Sequence, residues 1–164
     1  MEILPLLLKE LDQEAQTTRK FLKLVTEEHF DWQPHQKSMT MKRLAVHIAE
    51  LPSWVAMTFN SDGIDFTTTP YEPTPISSQE DLLELFEKSY EAGKKALEEA
   101  KEEDLLPSWT MKNDGVVLQV FTKYEVIRHS FGQTAHHRAQ LGVNLRLLDI
   151  PIPGSYGPSA DETF

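Results

Sequence analysis

Residues 122–149, TKYEVIRHSFGQTAHHRAQLGVNLRLLD, decide the fold. Thr122 and Glu125 fit a capping box, in which each side chain satisfies a backbone N–H of the other at a helix start. A long periodic run follows, and the proline-rich stretch PIPGSYGP from residue 151 cannot continue it. The segment predicts a long helix over 122–149. Three of the six histidines of the chain, His129, His136 and His137, fall within it.

Working outward, three further helices are expected. The first covers residues 3–26, where Leu7, Leu8, Leu11, Ala15, Phe21, Leu22 and Val25 recur at helical spacing. The second covers residues 40–60, with Leu44, His47, Ile48, Leu51 and Val55 as its inward stripe. Pro52 lies inside that pattern and lacks a backbone donor, so a kink or break is expected there. The third runs from Ser77 or Ser78, paired with Glu80 or Asp81 as capping candidates, to about residue 100. Residues 61–76 read as a long loop, and loops of that length are usually functional or mobile. The segment WTMKNDGVVLQVF, residues 109–121, carries an Asn-Asp-Gly turn signal between β-prone runs. It reads as a small hairpin or an irregular loop. Four helices with mostly polar joints predict an all-α fold, a four-helix bundle forming a single domain over residues 1–164.

Composition bounds the function. A chain of 164 residues buries roughly 70% of its unfolded surface around one core. With no cysteine, disulfides, thiolate metal sites and a Cys nucleophile are excluded. The formal net charge of −10 disfavours a phosphate backbone, so no nucleic-acid partner is expected. The apolar run near the N-terminus is shorter than the roughly 7–15 residues of a signal-peptide core and has an acidic flank. No segment reaches the ~20 apolar residues of a membrane span, so a cytoplasmic protein without membrane contact is expected. No nucleophile elbow, phosphate loop or dinucleotide-binding glycine pattern is present.

The histidines carry the chemistry. A histidine on an apolar helix face is most often a hydrogen-bonded core or boundary residue. Bundle metal sites, however, draw inward ligands from facing helices, three or four residues apart on one helix. His47 lies on the inward stripe of the second helix. Gln133 and His137 form an i, i+4 pair on the fourth. His136 is turned by about 100° from His137, so the two cannot face one point. His129 lies roughly 12 Å along the axis from His137, too far to share an ion with it. His129 and Gln133 make a second i, i+4 pair without an obvious third partner.

HIAEL at 47–51 and SFGQTAHHRAQLGVNLRLL at 130–148 resemble the DinB/YfiT-like proteins. DWQPHQKSMTMKRLAVHIAEL at 31–51 and IPIPGSYGPSADE at 150–162 extend the resemblance over nearly the whole chain. It implies a four-helix bundle of up-down-down-up topology. It also implies a divalent metal, nickel or zinc, on three histidines, one from the second helix and an i, i+4 pair from the fourth. Their positions here are His47, Gln133 and His137. Gln133 departs from the pattern, and Arg138-Ala139-Gln140 stands for the usual Arg-Gly-Gln. An amide oxygen is a neutral, hard donor, whereas imidazole suits zinc and nickel. Weaker binding than three histidines give is therefore expected. Either Glu50 completes the shell, or the metal has been lost and a polar pocket kept.

The resemblance further implies a metal-assisted S-transferase or hydrolase using a low-molecular-weight thiol on a small-molecule substrate. His136, His129, Glu50 and Arg138 are candidates around the ligands, His136 and Glu50 as proton carriers. Arg138 and Gln140 are also expected to hold the fourth helix against its neighbours or the tail. Tyr156 either folds back near the site or packs on the bundle end. Trp32, Trp54 and Trp109 either line a pocket or pack helix ends. The rival reading is a metal-free module that binds a small ligand or dimerises through its first or fourth helix. A homodimer is expected on either reading.

Overall fold

The computed structural model describes residues 2–163. Among the described residues there are five α-helices: α1 (Leu4–Leu22), α2 (Met41–Glu50), α3 (Ser53–Asn60), α4 (Gln79–Glu99) and α5 (Lys123–Leu147). Three strands, β1 (Gly63–Asp65), β2 (Ser108–Asn113) and β3 (Val116–Thr122), form a sheet in the order β1-β2-β3. β1 pairs parallel with β2, and β2 antiparallel with β3. This overturns the expected all-α, up-down-down-up four-helix bundle. The architecture is five helices with a small mixed sheet.

Two physical causes account for the difference. Pro52 has no N–H to give, and the chain turns there through Trp54 N–H donating to Leu51 O at 3.1 Å. The expected second helix therefore becomes α2 and α3. Hairpin formation at 108–122 follows from its turn, where Asp114 and Gly115 have φ of 51° and 73°. Positive φ at both central residues matches the twist of paired strands and favours Asp-Gly. The Asp65 carboxylate accepts from the N–H groups of Asp114 and Gly115, at 3.1 and 2.8 Å, and from Thr67 N–H at 3.0 Å. These bonds hold the Asp65 carboxyl below its ordinary range. Trp109 anchors the sheet: it is 1% exposed, and its indole N–H donates to Ser61 Oγ at the end of α3, 3.0 Å away.

The helices pack as two pairs of contacts. α1 lies against α4 and α5, and the α2–α3 segment lies against the same two helices. Leu7, Leu11, Phe21, Leu22, Met41, Leu44, Ile48, Phe86, Ile127, Leu141 and Leu145 belong to one buried cluster. Both predicted capping boxes are present, Ser78 with Asp81 and Thr122 with Glu125. Ser77 adds its own hydroxyl and N–H to Asp81, both at 2.7 Å. α1 is capped from a distance: Ile3 and Leu4 N–H donate to Glu102 Oε1 at 2.7 and 2.8 Å. A carboxylate there also meets the positive end of the helix dipole.

The break at Pro52 is held by two neighbours. Ser130 on α5, fully buried, donates its hydroxyl to Leu51 O at 2.7 Å. Gly93 on α4 receives the other side, since a Cβ there would stand 2.4 Å from Pro52 O. These two contacts set where α2 and α3 sit on α4 and α5.

Candidate functional site

One turn before Leu51 on α2 stands His47, and two turns after Ser130 on α5 stands His137. The Ser130–Leu51 bond therefore registers the two helices so that both histidines reach one point. Their ring centroids are 4.6 Å apart, with planes at 80°. Both side chains are half-buried. Burial is the first cause that holds the His47 imidazole below its ordinary pKa, followed by His137 and opposed by Glu50. Burial likewise holds His137 down, against its hydrogen bond to the Gln140 amide oxygen. Both rings thus favour the neutral form, the form that can give a lone pair.

The polar chain around His137 fixes its tautomer. His137 Nδ1 and Gln140 Oε1 are 2.9 Å apart, and Gln140 Nε2 and His136 Nε2 are 3.1 Å apart. With the amide donating to His136, its oxygen accepts from His137 Nδ1–H, and His137 Nε2 is left as the basic nitrogen. This is how a neighbouring oxygen orients a histidine toward a ligand. His136 is exposed, yet its ring packs edge-on against His137, with centroids 4.8 Å apart, and Gln140 bridges the two.

Gln133 is half-buried, one turn before His137, and its Nε2 lies 3.3 Å from His129 Nε2. That bond uses the amide nitrogen, and no hydrogen bond among the described residues engages the oxygen. His129 is exposed and stacks beside Phe121, with centroids 6.2 Å apart. Among the described residues, no group of three or more His, Asp or Glu side chains gathers to hold an ion.

Glu50 does different work. Its Oε2 accepts from Tyr71 O–H at 2.6 Å, and its Oε1 accepts from Thr74 N–H and O–H at 2.9 and 2.5 Å. It clips the loop between β1 and α4 over the end of α2. Tyr71 then packs edge-on to His47, with centroids 5.8 Å apart, and Trp54 does so from α3 at 6.3 Å. Burial, then the bond to Glu50, pushes the Tyr71 hydroxyl above the ordinary phenol range, so it remains a donor. Sequence reasoning missed Tyr71 and left Trp54 between pocket and packing. The signal for Tyr71 was an aromatic, one of two with Phe66, in a proline- and threonine-rich loop.

Arg138 is not brought to the histidine pair. It is 1% exposed and pairs with Glu14 Oε2 at 2.7 Å, with further bonds to Thr18 Oγ1 at 3.1 Å and Ser155 Oγ at 3.3 Å. Tyr156 folds over it, 5.4 Å from guanidinium to ring, and donates to Glu14 Oε1 at 2.9 Å. Arg138 thus holds α5 to α1 and to the tail, the second of its two expected roles.

With this geometry in view, comparison with known proteins adds the lineage. The DinB family model matches residues 2–163. The chain belongs to the DinB family. A Bacillus subtilis (strain 168) relative named uncharacterized protein YrdA is 24% identical over 159 residues, spanning 94% of this chain and 89% of that one. A crystal structure of a DinB-like protein from Bacillus subtilis superposes with a TM-score of 0.71 at 18% identity, covering 91% of this chain and 96% of that one. One from Bacillus cereus ATCC 10987 gives 0.70 at 20% identity, covering 90% and 94%. A structure described as a putative DinB-family member from Exiguobacterium sibiricum gives 0.71 at 19% identity, covering 94% and 97%. At these identities the superpositions establish the DinB-like fold. No helix of the described residues is long and apolar enough to cross a membrane.

Proposed function

We propose that this DinB-family protein is a cytoplasmic, divalent-metal-dependent enzyme whose ion, nickel or zinc, is held by His47 and His137 with the amide oxygen of Gln133. The observation that carries the reading is the meeting of two neutral imidazoles from α2 and α5, 4.6 Å apart. The donor set fits such an ion: two borderline nitrogen donors, one of them oriented by Gln140, and one neutral oxygen. A third strong donor is lacking, so binding is expected to be weaker than at three histidines. When bound, such an ion supplies Lewis acidity and favours the ionised form of a thiol or a water. The chain's own residues exclude solvent from one side through Tyr71 and Trp54, and they orient the basic nitrogen of His137 through Gln140. His136, exposed and with its ring 4.8 Å from that of His137, is the proposed proton carrier to solvent. The reaction proposed is transfer of a low-molecular-weight thiol to a small electrophile, or hydrolysis.

The test is elemental analysis of untagged protein beside His47→Ala and His137→Ala. Metal near one equivalent, lost in both variants, supports the reading; no metal under any loading condition removes it. Gln133→His should tighten binding by about tenfold or more, since an imidazole replaces a neutral oxygen. Unchanged affinity would mean that position 133 does not serve the ion. For the reaction, silence of the loaded enzyme across a panel of low-molecular-weight thiols and electrophiles would leave no support for the transferase. The reading includes a homodimer, supported by Val143 and Leu147, which are apolar yet 61% and 60% exposed on α5. Sedimentation as a monomer at every concentration tested would remove it.

A second reading, a metal-free small-ligand module, is favoured by the missing third strong donor and by an aromatic cavity that shares Trp54 and Tyr71 with the histidine site.

A further inference from the structure

Beside the histidine pair, between α3, α4, the sheet and the clipped loop, lies a cavity of about 510 Å³. That volume is in the range of roughly 300–1,000 Å³ typical of small-molecule sites. Its walls include Trp54, Met57, Phe66, Tyr71, Trp109 and Met111, an aromatic and thioether surface. Such side chains take a flat, polarisable body by stacking and by sulfur contact.

Polar groups line it from α2, α3 and the loop, and two more, Lys88 and Ser89, from α4. Ser89 lines the cavity although it is only 5% exposed, and none of the hydrogen bonds among the described residues engages its hydroxyl. That hydroxyl is not among the fully buried unpartnered atoms, so it is open to the cavity, where water or a ligand can bond it. Next to it Lys88 is exposed and makes no ion pair among the described residues. Of the two acidic residues on the wall, Glu50 already accepts three hydrogen bonds from the loop, which leaves Glu72. A second cavity of about 570 Å³, between α5 and the tail, offers no comparable free groups: its Arg138 is paired with Glu14 and its Arg146 with Asp161.

We infer that the cavity between α3, α4 and the sheet binds a small aromatic molecule carrying one anionic group, its ring among Trp54, Tyr71 and Trp109 and its anionic end at Ser89 and Lys88. The site gives the small-molecule side of the preceding proposal a place, and it does not depend on an ion at the histidines. Because Trp54 and Tyr71 touch both the cavity and His47, a ligand seated there lies next to the imidazoles.

The experiment is a calorimetric and tryptophan-fluorescence titration of the whole chain with 1-naphthoate, with naphthalene-1-methanol as its uncharged comparator. The expected result is saturable one-to-one binding of the carboxylate, with the comparator weaker. Lys88→Gln combined with Ser89→Ala should weaken 1-naphthoate by about tenfold, and circular dichroism would verify that this mild pair folds. His47→Ala should retain binding, which separates failure of this site from failure of the metal site. The inference is overturned by absence of saturable binding, by binding indifferent to the Lys88/Ser89 pair, or by binding abolished in His47→Ala.

Discussion

His137 and Arg138 are neighbours in sequence, yet α5 turns them to opposite fates. His137 is half-buried, bonded only to another neutral side chain, and faces a second imidazole. Arg138 is sealed, ion-paired to Glu14 and bonded to α1 and the tail. One face of the helix keeps its polar groups weakly committed. The other saturates a charge, as a joint that must not move requires. A run of polar residues in a helix therefore does not by itself identify function. The partner that each one meets does.

The comparison breaks first, and with the largest effect, if the two faces have similar weight in stability. Arg138→Met should destabilise by about 3–5 kcal/mol, because it leaves the Glu14 carboxylate buried without its cation. For a chain of this size that is a fall of roughly 10 °C in midpoint temperature. His137→Ala should cost about 1 kcal/mol or less. Thermal unfolding of both variants checks this. Arg138→Met with Glu14→Leu should recover part of the loss, since the orphaned charge is then gone.

A smaller effect is expected at Glu50. Glu50→Ala removes the acceptor for Tyr71 and Thr74, and local opening of residues 66–76 should become easier by about 1–2 kcal/mol. Hydrogen exchange at Thr74 N–H would report it, with α1 and α5 unchanged. Uniformly faster exchange would show that the clip carries the fold and not the loop.

The smallest effect is in pH. Without metal, His47 and His137 both titrate below their ordinary value of 6.5, with burial as the first cause. Just below that value the unfolded chain takes up protons that the folded chain declines. Stability should therefore be full above pH 6.5 and fall as pH is lowered through the histidine range. His47→Asn or His137→Asn should flatten this slope in urea unfolding. An unchanged slope would assign it to other groups.

What could be read in the sequence follows the range of the interactions. The starts of α4 and α5 were legible because Ser78–Asp81 and Thr122–Glu125 are contacts three residues apart. The inward placement of His47 and His137 was legible from helical periodicity. Pro52 announced a disruption, but whether as kink or break depended on Gly93 and Ser130, both distant in the chain. β1 was invisible because its pairing partner, Thr110–Lys112, lies far along the chain. Glu50 looked like a ligand from its spacing to His47. Its engagement by Tyr71 and Thr74 could not be read locally, since a loop's path is not periodic. Gln133 was identified by position, and its bond to His129 needed rotamers that no sequence pattern specifies.

The absent side chain of Gly93 has one more implication. Because Pro52 O rests where a Cβ would be, the angle at which α3 leaves the break is gauged against α4 rather than against α2. Trp54 rides on α3 and forms part of the boundary shared by the imidazoles and the aromatic cavity. Even a methyl group at position 93 would act as a wedge, tilting that boundary while leaving every polar residue in place. Position 93 is therefore a lever on that boundary that lies outside it.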